Sequence, residues 1–142
     1  MRIYPQDEAY VVVLGAGDLV VKSLEELARN HGVYGFFYGV GAVKNPEIGY
    51  FDVDGKSYIR RSLRGFFEVV CIAGNIGVDM DGNVIVHAHI ALGDNKFGII
   101  GGHLFEAEVS VTLELVVIPT GKIVRAIDQK TGLKLIDSVG RV

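Results

Sequence analysis

The chain has 142 residues, 49% of them hydrophobic, which fits one domain with a substantial core. Its 14 Lys and Arg against 17 Asp and Glu give a net charge of -3, so the chain as a whole does not attract a polyanion such as DNA. The single cysteine, Cys71, excludes an internal disulfide, and its apolar neighbours predict a buried thiol. No apolar stretch reaches the roughly 18 residues that span a bilayer, and the N-terminus lacks the apolar segment of a signal peptide. We therefore expect one domain over residues 1–142, soluble, cytoplasmic and without a membrane partner.

The first predicted elements are a short strand and the only clear helix. Residues 9–14 are mostly β-branched and precede Gly15-Ala16-Gly17, which predicts a strand closed by a turn. Apolar residues then recur at helical spacing from Leu19 to His31, and Gly32 provides a stop. Asp18 is the predicted N-cap of this helix.

After Gly32 the apolar residues alternate with a period of two, which indicates strands. The predicted runs are 33–43, 47–53, 56–63, 65–73, 83–92, 97–105 and 108–118. The short apolar segment 133–136 is expected either to add a small terminal strand or to pack against a neighbour. Turn dipeptides at Asp54-Gly55 and Asp81-Gly82, and a turn at 93–96, favour antiparallel hairpins. The predicted fold class is α+β, a mostly antiparallel sheet of about seven strands with one main flanking helix. Gly39-Val40-Gly41 lacks the third glycine and the helix of a dinucleotide fingerprint, so no nucleotide cofactor is predicted.

Two histidines lie side by side in the run 83–92. Strand alternation places His87 and His89 on one face and the apolar Ala88, Ile90 and Leu92 on the other. Residues two apart on a strand are roughly 6–7 Å apart at Cα, so both imidazoles can bind one ion at about 2.0–2.1 Å. This spacing suits a shared pair of metal ligands.

A third histidine, His103, lies in the next run, which can fold back as a hairpin partner. An even register places His103 opposite His87 on the same face. A strict two-residue turn at Asp94-Asn95 gives an odd register and turns His103 to the other face, unless Gly101-Gly102 carries a bulge. Three histidines predict zinc or a similar divalent metal, with water or a small oxygen ligand in the open position. The alternative is that they hydrogen-bond within a subunit interface.

Glu68 is the only charged residue in the apolar strand 65–73. Burial of a carboxylate without a partner is costly, so a histidine, a backbone amide or one of Arg60, Arg61 and Arg64 should contact it. Glu68 is therefore the candidate acid or base, or a group that supports the metal ligands. No other catalytic residue is predicted.

Seven short segments of the chain carry a resemblance to a known family. They are Gly39-Val40-Gly41-Ala42-Val43, Ile48-Gly49-Tyr50-Phe51-Asp52, Gly65-Phe66-Phe67-Glu68-Val69-Val70, Gly74-Asn75-Ile76, Asp81-Gly82, Val86-His87-Ala88-His89 and Gly101-Gly102-His103-Leu104. In these segments the sequence resembles the PPC (plants and prokaryotes conserved) domain family, in its single-domain prokaryotic form. It departs from the plant pattern at Phe66, where plant members have arginine, and it lacks the arginine-glycine-arginine-proline AT-hook.

The resemblance implies a homotrimer and a fold that also resembles acetolactate decarboxylase, whose zinc is held by histidines including a His-x-His pair. A fold likeness does not transfer a reaction. Prokaryotic PPC members are commonly labelled DNA-binding by analogy with the plant proteins. Three hypotheses follow: a metal-binding homotrimer, a DNA-associated protein, and a structural oligomeric partner protein. The only basic cluster available to DNA is Lys56, Arg60, Arg61 and Arg64.

Overall fold

The computed structural model describes residues 1–141, which form nine strands and one helix. In chain order these are β1 (Arg2–Pro5), β2 (Tyr10–Gly15), α1 (Val20–His31), β3 (Gly35–Asp52), β4 (Ser57–Ser62), β5 (Phe66–Asp79), β6 (Val84–Gly93), β7 (Ile99–Pro119), β8 (Ile123–Ile127) and β9 (Lys134–Val139). The predicted class, a mostly antiparallel sheet with one flanking helix, is confirmed. Among the described residues, no helix has both the length and the apolar character to cross a membrane.

The strands number nine rather than about seven. Predicted runs 33–43 and 47–53 are one continuous strand, β3, and runs 97–105 and 108–118 are likewise joined in β7. Register shifts between Lys44 and Ile48 let β3 bend without ending, because a bulge keeps the neighbouring pairs in place. Strands β1 and β8 were not predicted, and β9 matches the expected terminal strand.

Four strands pair in a closed circuit. β3 pairs with β7 along one edge and with β5 along the other, and β6 joins β5 to β7. β2 extends the sheet from β7 and carries β1, while β4 pairs with the second half of β3. The β8–β9 hairpin is attached by a short parallel pairing of β8 with β5.

The core lies between the curled sheet and α1, which contacts β5, β6 and β7. Apolar residues from the helix and from alternate strand positions fill it without exposure to solvent. The largest are Leu14, Leu24, Leu27, Ile72, Ile76, Leu92, Leu104, Leu113 and Leu115. One face of β5, β6 and β7 therefore points at the helix, and the other is free to carry polar side chains.

The cysteine prediction is wrong, because Cys71 is exposed. The pairing of β5 with β6 shifts register between Val69 and Cys71, so a bulge changes the direction of the side chains there. Alternation in the sequence does not reveal such a shift.

The two ends of α1 are set by different means. Gly32 adopts the left-handed conformation (φ 67°) and its N–H donates to the Ala28 carbonyl, which confirms the predicted stop. Asp18 does not cap the first turn; its carboxylate accepts hydrogen bonds from the Gly15 N–H and the terminal amino group. The carboxylate of Glu106 on β7 caps the first turn instead, because it accepts hydrogen bonds from the N–H groups of Val21 (2.8 Å) and Lys22 (3.2 Å).

Removal of this carboxylate should loosen the helix from the sheet. We expect Glu106→Ala to lower the free energy of unfolding by about 1–2 kcal/mol, because the first turn loses acceptors for its N–H groups. Glu108→Ala on the same strand is the matched control, since Glu108 makes only a half-exposed ion pair with Lys44, and it should cost less than about 1 kcal/mol. Urea denaturation measures both, and equal losses would contradict the role of Glu106.

Candidate metal centre

The histidines of β6 lie on the face of the sheet opposite α1. Ala88, Ile90 and Leu92 are buried in the core, whereas His87 is half-buried and His89 is exposed. The predicted alternation of this strand is therefore confirmed. A strand with one face in the core forces its intervening side chains outward, so the two imidazoles point the same way.

The β6–β7 hairpin has an even register. His103 lies directly opposite His89, and the pairs Ile90 with Gly102 and Ala91 with Gly101 continue the ladder without a bulge. His103 thus shares the face of His87 and His89, although its direct partner is His89 and not, as the even register was expected to give, His87. A five-residue turn, 94–98, joins the strands instead of two residues.

The Asp94 carboxylate organises that turn. It accepts hydrogen bonds from the backbone N–H groups of Lys96 and Gly98, each at 2.8 Å, while the Asp94 N–H donates to the Gly98 carbonyl. Phe97 takes a left-handed φ of 63° within the turn. The carboxylate closes the loop at this length, and the loop length in turn fixes the register that brings the histidines together.

The three imidazoles form a compact cluster. Ring centroids are 5.2 Å apart for His87 and His89, 5.4 Å for His87 and His103, and 5.7 Å for His89 and His103. One nitrogen from each ring lies within 4.8 Å of the others. Nitrogens bound to one tetrahedral zinc are roughly 3.4 Å apart, given bonds of about 2.1 Å. A bound ion would therefore draw the three rings closer together than they lie in this structure.

Aromatic side chains enclose one side of His103. The rings of Tyr58 and Phe105 both lie 4.8 Å from its imidazole, centroid to centroid. The guanidinium of Arg60 lies over the Phe105 ring, 3.7 Å from its centre. Arg60 also donates to Glu47 at 2.8 Å, so its charge is compensated. These contacts hold the His103 ring and keep water from its inner side.

Burial favours the neutral form of two of the imidazoles. It lowers the pKa of His103 from 6.5 to about 4, and the charges of His87, His89 and Arg60 act in the same direction. Burial also lowers the pKa of His87, assisted by the positive charge of Arg125 and by His89. Neutral imidazoles are the form that binds metals.

The residues present fit a metal ion. Within residues 1–141, the Nδ1 atom of His103 is buried and has no hydrogen-bond partner, which is costly for a polar atom unless a ligand satisfies it. The donor set is nitrogen only, a set that zinc and related divalent ions accept. Three protein ligands leave a fourth tetrahedral position open.

Arg125 and Asn75 complete the polar surroundings of the cluster. Nη2 of Arg125 donates to Oδ1 of Asn75 at 2.9 Å and lies 3.3 Å from Nδ1 of His87. Sequence reasoning did not identify Arg125, although a signal was present. It is the one charge in the apolar run Ile123–Ile127, the same pattern that drew attention to Glu68.

Glu68 itself is not part of the cluster. It is exposed and pairs with Gly93, whereas His89 pairs with Ala73. Glu68 and Ala73 are five positions apart on β5, which corresponds to roughly 17 Å along the strand. The expected burial of Glu68 is therefore wrong, and within one chain it cannot support the histidines or exchange protons with a ligand bound there.

Comparison with known proteins identifies relatives over nearly the whole chain. A protein from Bacteroides thetaiotaomicron, provisionally described as DNA-binding, superposes with a TM-score of 0.90 at 26% identity, with 96% of each chain covered. A plant- and prokaryote-conserved protein from Pyrococcus horikoshii is 30% identical, with a TM-score of 0.82 and coverage of 98% of this chain and 95% of that one. A metal-containing protein from Archaeoglobus fulgidus is also 30% identical, with a TM-score of 0.83 and coverage of 97% and 100%.

The defining pattern of one family matches the greater part of the sequence. The Plants and Prokaryotes Conserved domain matches residues 1–120, from β1 through the end of β7, and so includes all three histidines. A comparison with curated protein sequences finds no match. The family match, together with the fold and the relatives at 30% identity, shows that this chain belongs to the Plants and Prokaryotes Conserved domain family.

Proposed function

We propose that this protein is a homotrimer that binds one divalent metal ion per chain, zinc or a close equivalent, through His87, His89 and His103. The observation that carries the proposal is the convergence of three imidazole nitrogens within 4.8 Å on one face of the β6–β7 hairpin. The buried Nδ1 of His103 supports it, because a metal would satisfy this atom. The metal-containing relative from Archaeoglobus fulgidus adds independent support.

A bound metal would supply Lewis acidity and an exchangeable fourth position, which could hold water or a small oxygen ligand. The chain contributes the rest of the environment. The hairpin register sets the spacing of the three rings, Tyr58 and Phe105 enclose His103, and burial keeps its imidazole neutral near pH 7. These features hold ligands ready for a metal and leave one side accessible through the exposed His89.

Metal analysis tests the centre directly. Purified protein loaded with zinc should contain one ion per chain, and His89→Gln or His103→Gln should weaken zinc binding by about 100-fold, since loss of a ligand costs at least as much as loss of its hydrogen-bond partner. His31→Gln on α1 is the matched control and should bind as the wild type does. The measurement is stoichiometry by elemental analysis, with affinity from chelator competition. A stoichiometry near zero, with stability unchanged by chelation, would remove the proposal.

Acidification should destabilise the metal-free protein through His103. Its pKa of about 4 in the folded state is below the ordinary 6.5, so between these values the unfolded chain binds a proton that the folded chain does not. The free energy of unfolding should therefore fall as the pH drops from about 6.5 towards 4, and His103 should have no effect on the slope above pH 7. Urea denaturation across this range should show a shallower decline for His103→Gln, and parallel profiles would contradict the assignment.

The homotrimer is supported by apolar side chains on the outer face of the circuit strands. Val40 is 53% exposed, Phe66 75%, Val70 53% and Val111 70%. These four side chains lie on the neighbouring strands β3, β5 and β7, and in a single chain they are exposed to solvent. Exposed apolar patches of this kind mark sites of association, and closed symmetric assembly buries the same patch on each copy.

Sedimentation tests this assembly. The wild type should sediment at about three times the 15.4 kDa mass of the chain. Val111→Asp should shift the protein towards the monomer, because an interface would bury the new charge without a partner. Val53→Asp is the matched control, since Val53 is similarly exposed, at 65%, but lies in the β3–β4 turn. A monomeric wild type would refute the trimer, and a Val111→Asp protein of unchanged mass would refute the placement of its interface on this patch.

DNA association is the second candidate function, favoured by the provisional description of the Bacteroides relative. It ranks below the metal centre because the chain is acidic overall and Arg60 is already paired with Glu47. Arg61 and Arg64 are exposed and could contact phosphates. Phosphate-driven binding must weaken steeply as salt rises, so a salt titration separates it from adventitious association.

A purely structural oligomeric role is the third candidate function. One zinc ion bound per chain would show that the protein does more than assemble with copies of itself.

A further inference from the structure

Arg125 is a buried cation beside the three histidines. The residue is only 5% exposed, and its Nη1 atom donates to the Lys134 carbonyl at 2.7 Å. Nη2 contacts Asn75 and His87, and the buried Nε has no partner within residues 1–141. Every group that accepts from this guanidinium is uncharged.

The charge of Arg125 is also uncompensated by ion pairs. Asp79 lies beside it in the register of β5 and β8, but its carboxylate is engaged by Lys134 at 2.9 Å and by Asn83. None of the ion pairs formed by residues 1–141 includes Arg125. A buried positive charge without a counter-charge is unfavourable, which makes the region around it receptive to an anion.

A divalent metal at the histidines would increase this positive charge. Three neutral imidazoles bring no negative charge to the ion. Guanidinium can only donate, so Nδ1 of His87 is the acceptor in their contact. Ligation through Nδ1 would displace Arg125, and ligation through Nε2 would place the imidazole proton on Nδ1, facing the guanidinium. Arg125 therefore opposes metal binding by charge and by hydrogen bonding.

A groove beside the histidines offers a place for the missing negative charge. It has a volume of about 500 Å³, and its polar lining is formed by Asn75, His87 and His89. Its other lining includes the aromatic rings of Phe36 and Tyr38, which are 46% and 54% exposed. A carboxylate at the open metal position would neutralise part of the charge, while an apolar body would pack on these rings.

We propose that this centre binds its metal together with a small organic carboxylate that has an apolar body, and that Arg125 imposes this requirement. The inference rests on the metal centre proposed above and names the class of its ligand. Arg125 lies on β8, beyond residues 1–120 that match the family pattern. The requirement therefore comes from a contact of this chain's own C-terminal hairpin with its centre.

Zinc affinity measured by chelator competition, with and without benzoate, tests the proposal on the full chain. In the wild type, benzoate should tighten zinc binding by about tenfold or more, and neutral benzamide should not. Arg125→Met should bind zinc more tightly without benzoate, and the benzoate effect should disappear. Arg125→Lys keeps the charge and should keep the effect. Arg29→Met removes an exposed cation on α1 and should behave as the wild type.

The outcomes separate the two proposals. Zinc that binds one per chain but ignores benzoate overturns the carboxylate requirement and leaves the metal centre intact. A benzoate effect that survives in folded Arg125→Met overturns the role of Arg125. No zinc binding under either condition removes the metal centre, and the inference with it. If Arg125→Met does not fold, as circular dichroism would show, the wild type still decides whether a carboxylate is required. A benzoate effect that is lost in Arg125→Lys would then overturn the role of the positive charge.

Discussion

The closed pairing of β3, β5, β6 and β7 is the constraint on which the rest of the structure depends. Each of these strands is hydrogen-bonded on both edges, and alternate side chains on one face are buried in the core. The opposite face must then carry whatever polar groups the strands contain. The register of the β6–β7 pair places His103 on the same face as His87 and His89. A shift of one residue would turn the His103 side chain towards the core.

The register itself depends on a local interaction, the hydrogen bonds that the Asp94 carboxylate accepts within the 94–98 turn. Its two hydrogen bonds to backbone N–H groups also lower the pKa of Asp94, so the carboxylate is held in its charged, accepting form. The centre is therefore supported from both ends, by the turn that aligns the strands and by the aromatic rings around His103. Such support lets side chains on strands hold the geometry that a metal requires.

The charged groups around the three histidines are positive. Glu47 is paired with Arg60 and Asp79 with Lys134, whereas the charged groups that act on His87 and His103 within residues 1–141 are Arg125 and Arg60 and the other histidines. A metal bound there would form an electropositive centre with an open position. Such an arrangement would favour an anionic ligand, even though the protein as a whole is acidic.

Residues whose role follows from local pattern were predictable. The alternation of β6 correctly assigned its inward and outward side chains, and Gly32 ended the helix as expected. Predictions that depended on contacts between residues far apart in the sequence were wrong. Asp18 was the obvious cap by sequence, but Glu106 from β7 provides the acceptors. Glu68 and Arg125 carry the same signal, a lone charge in an apolar strand, and only the fold shows that Arg125 contacts the histidines.

By itself, the sequence determined the fold class, the paired orientation of His87 and His89, and the family resemblance, because these depend on short-range periodicity and on motifs. The tertiary structure decided whether His103 joins them, that Glu68 does not, and that Arg125 stands beside them. The reason is that strand register, bulges and the docking of the C-terminal hairpin are set by contacts between residues far apart in the chain. Periodicity records which way a side chain points along its own strand, and it carries no information about what lies across from it.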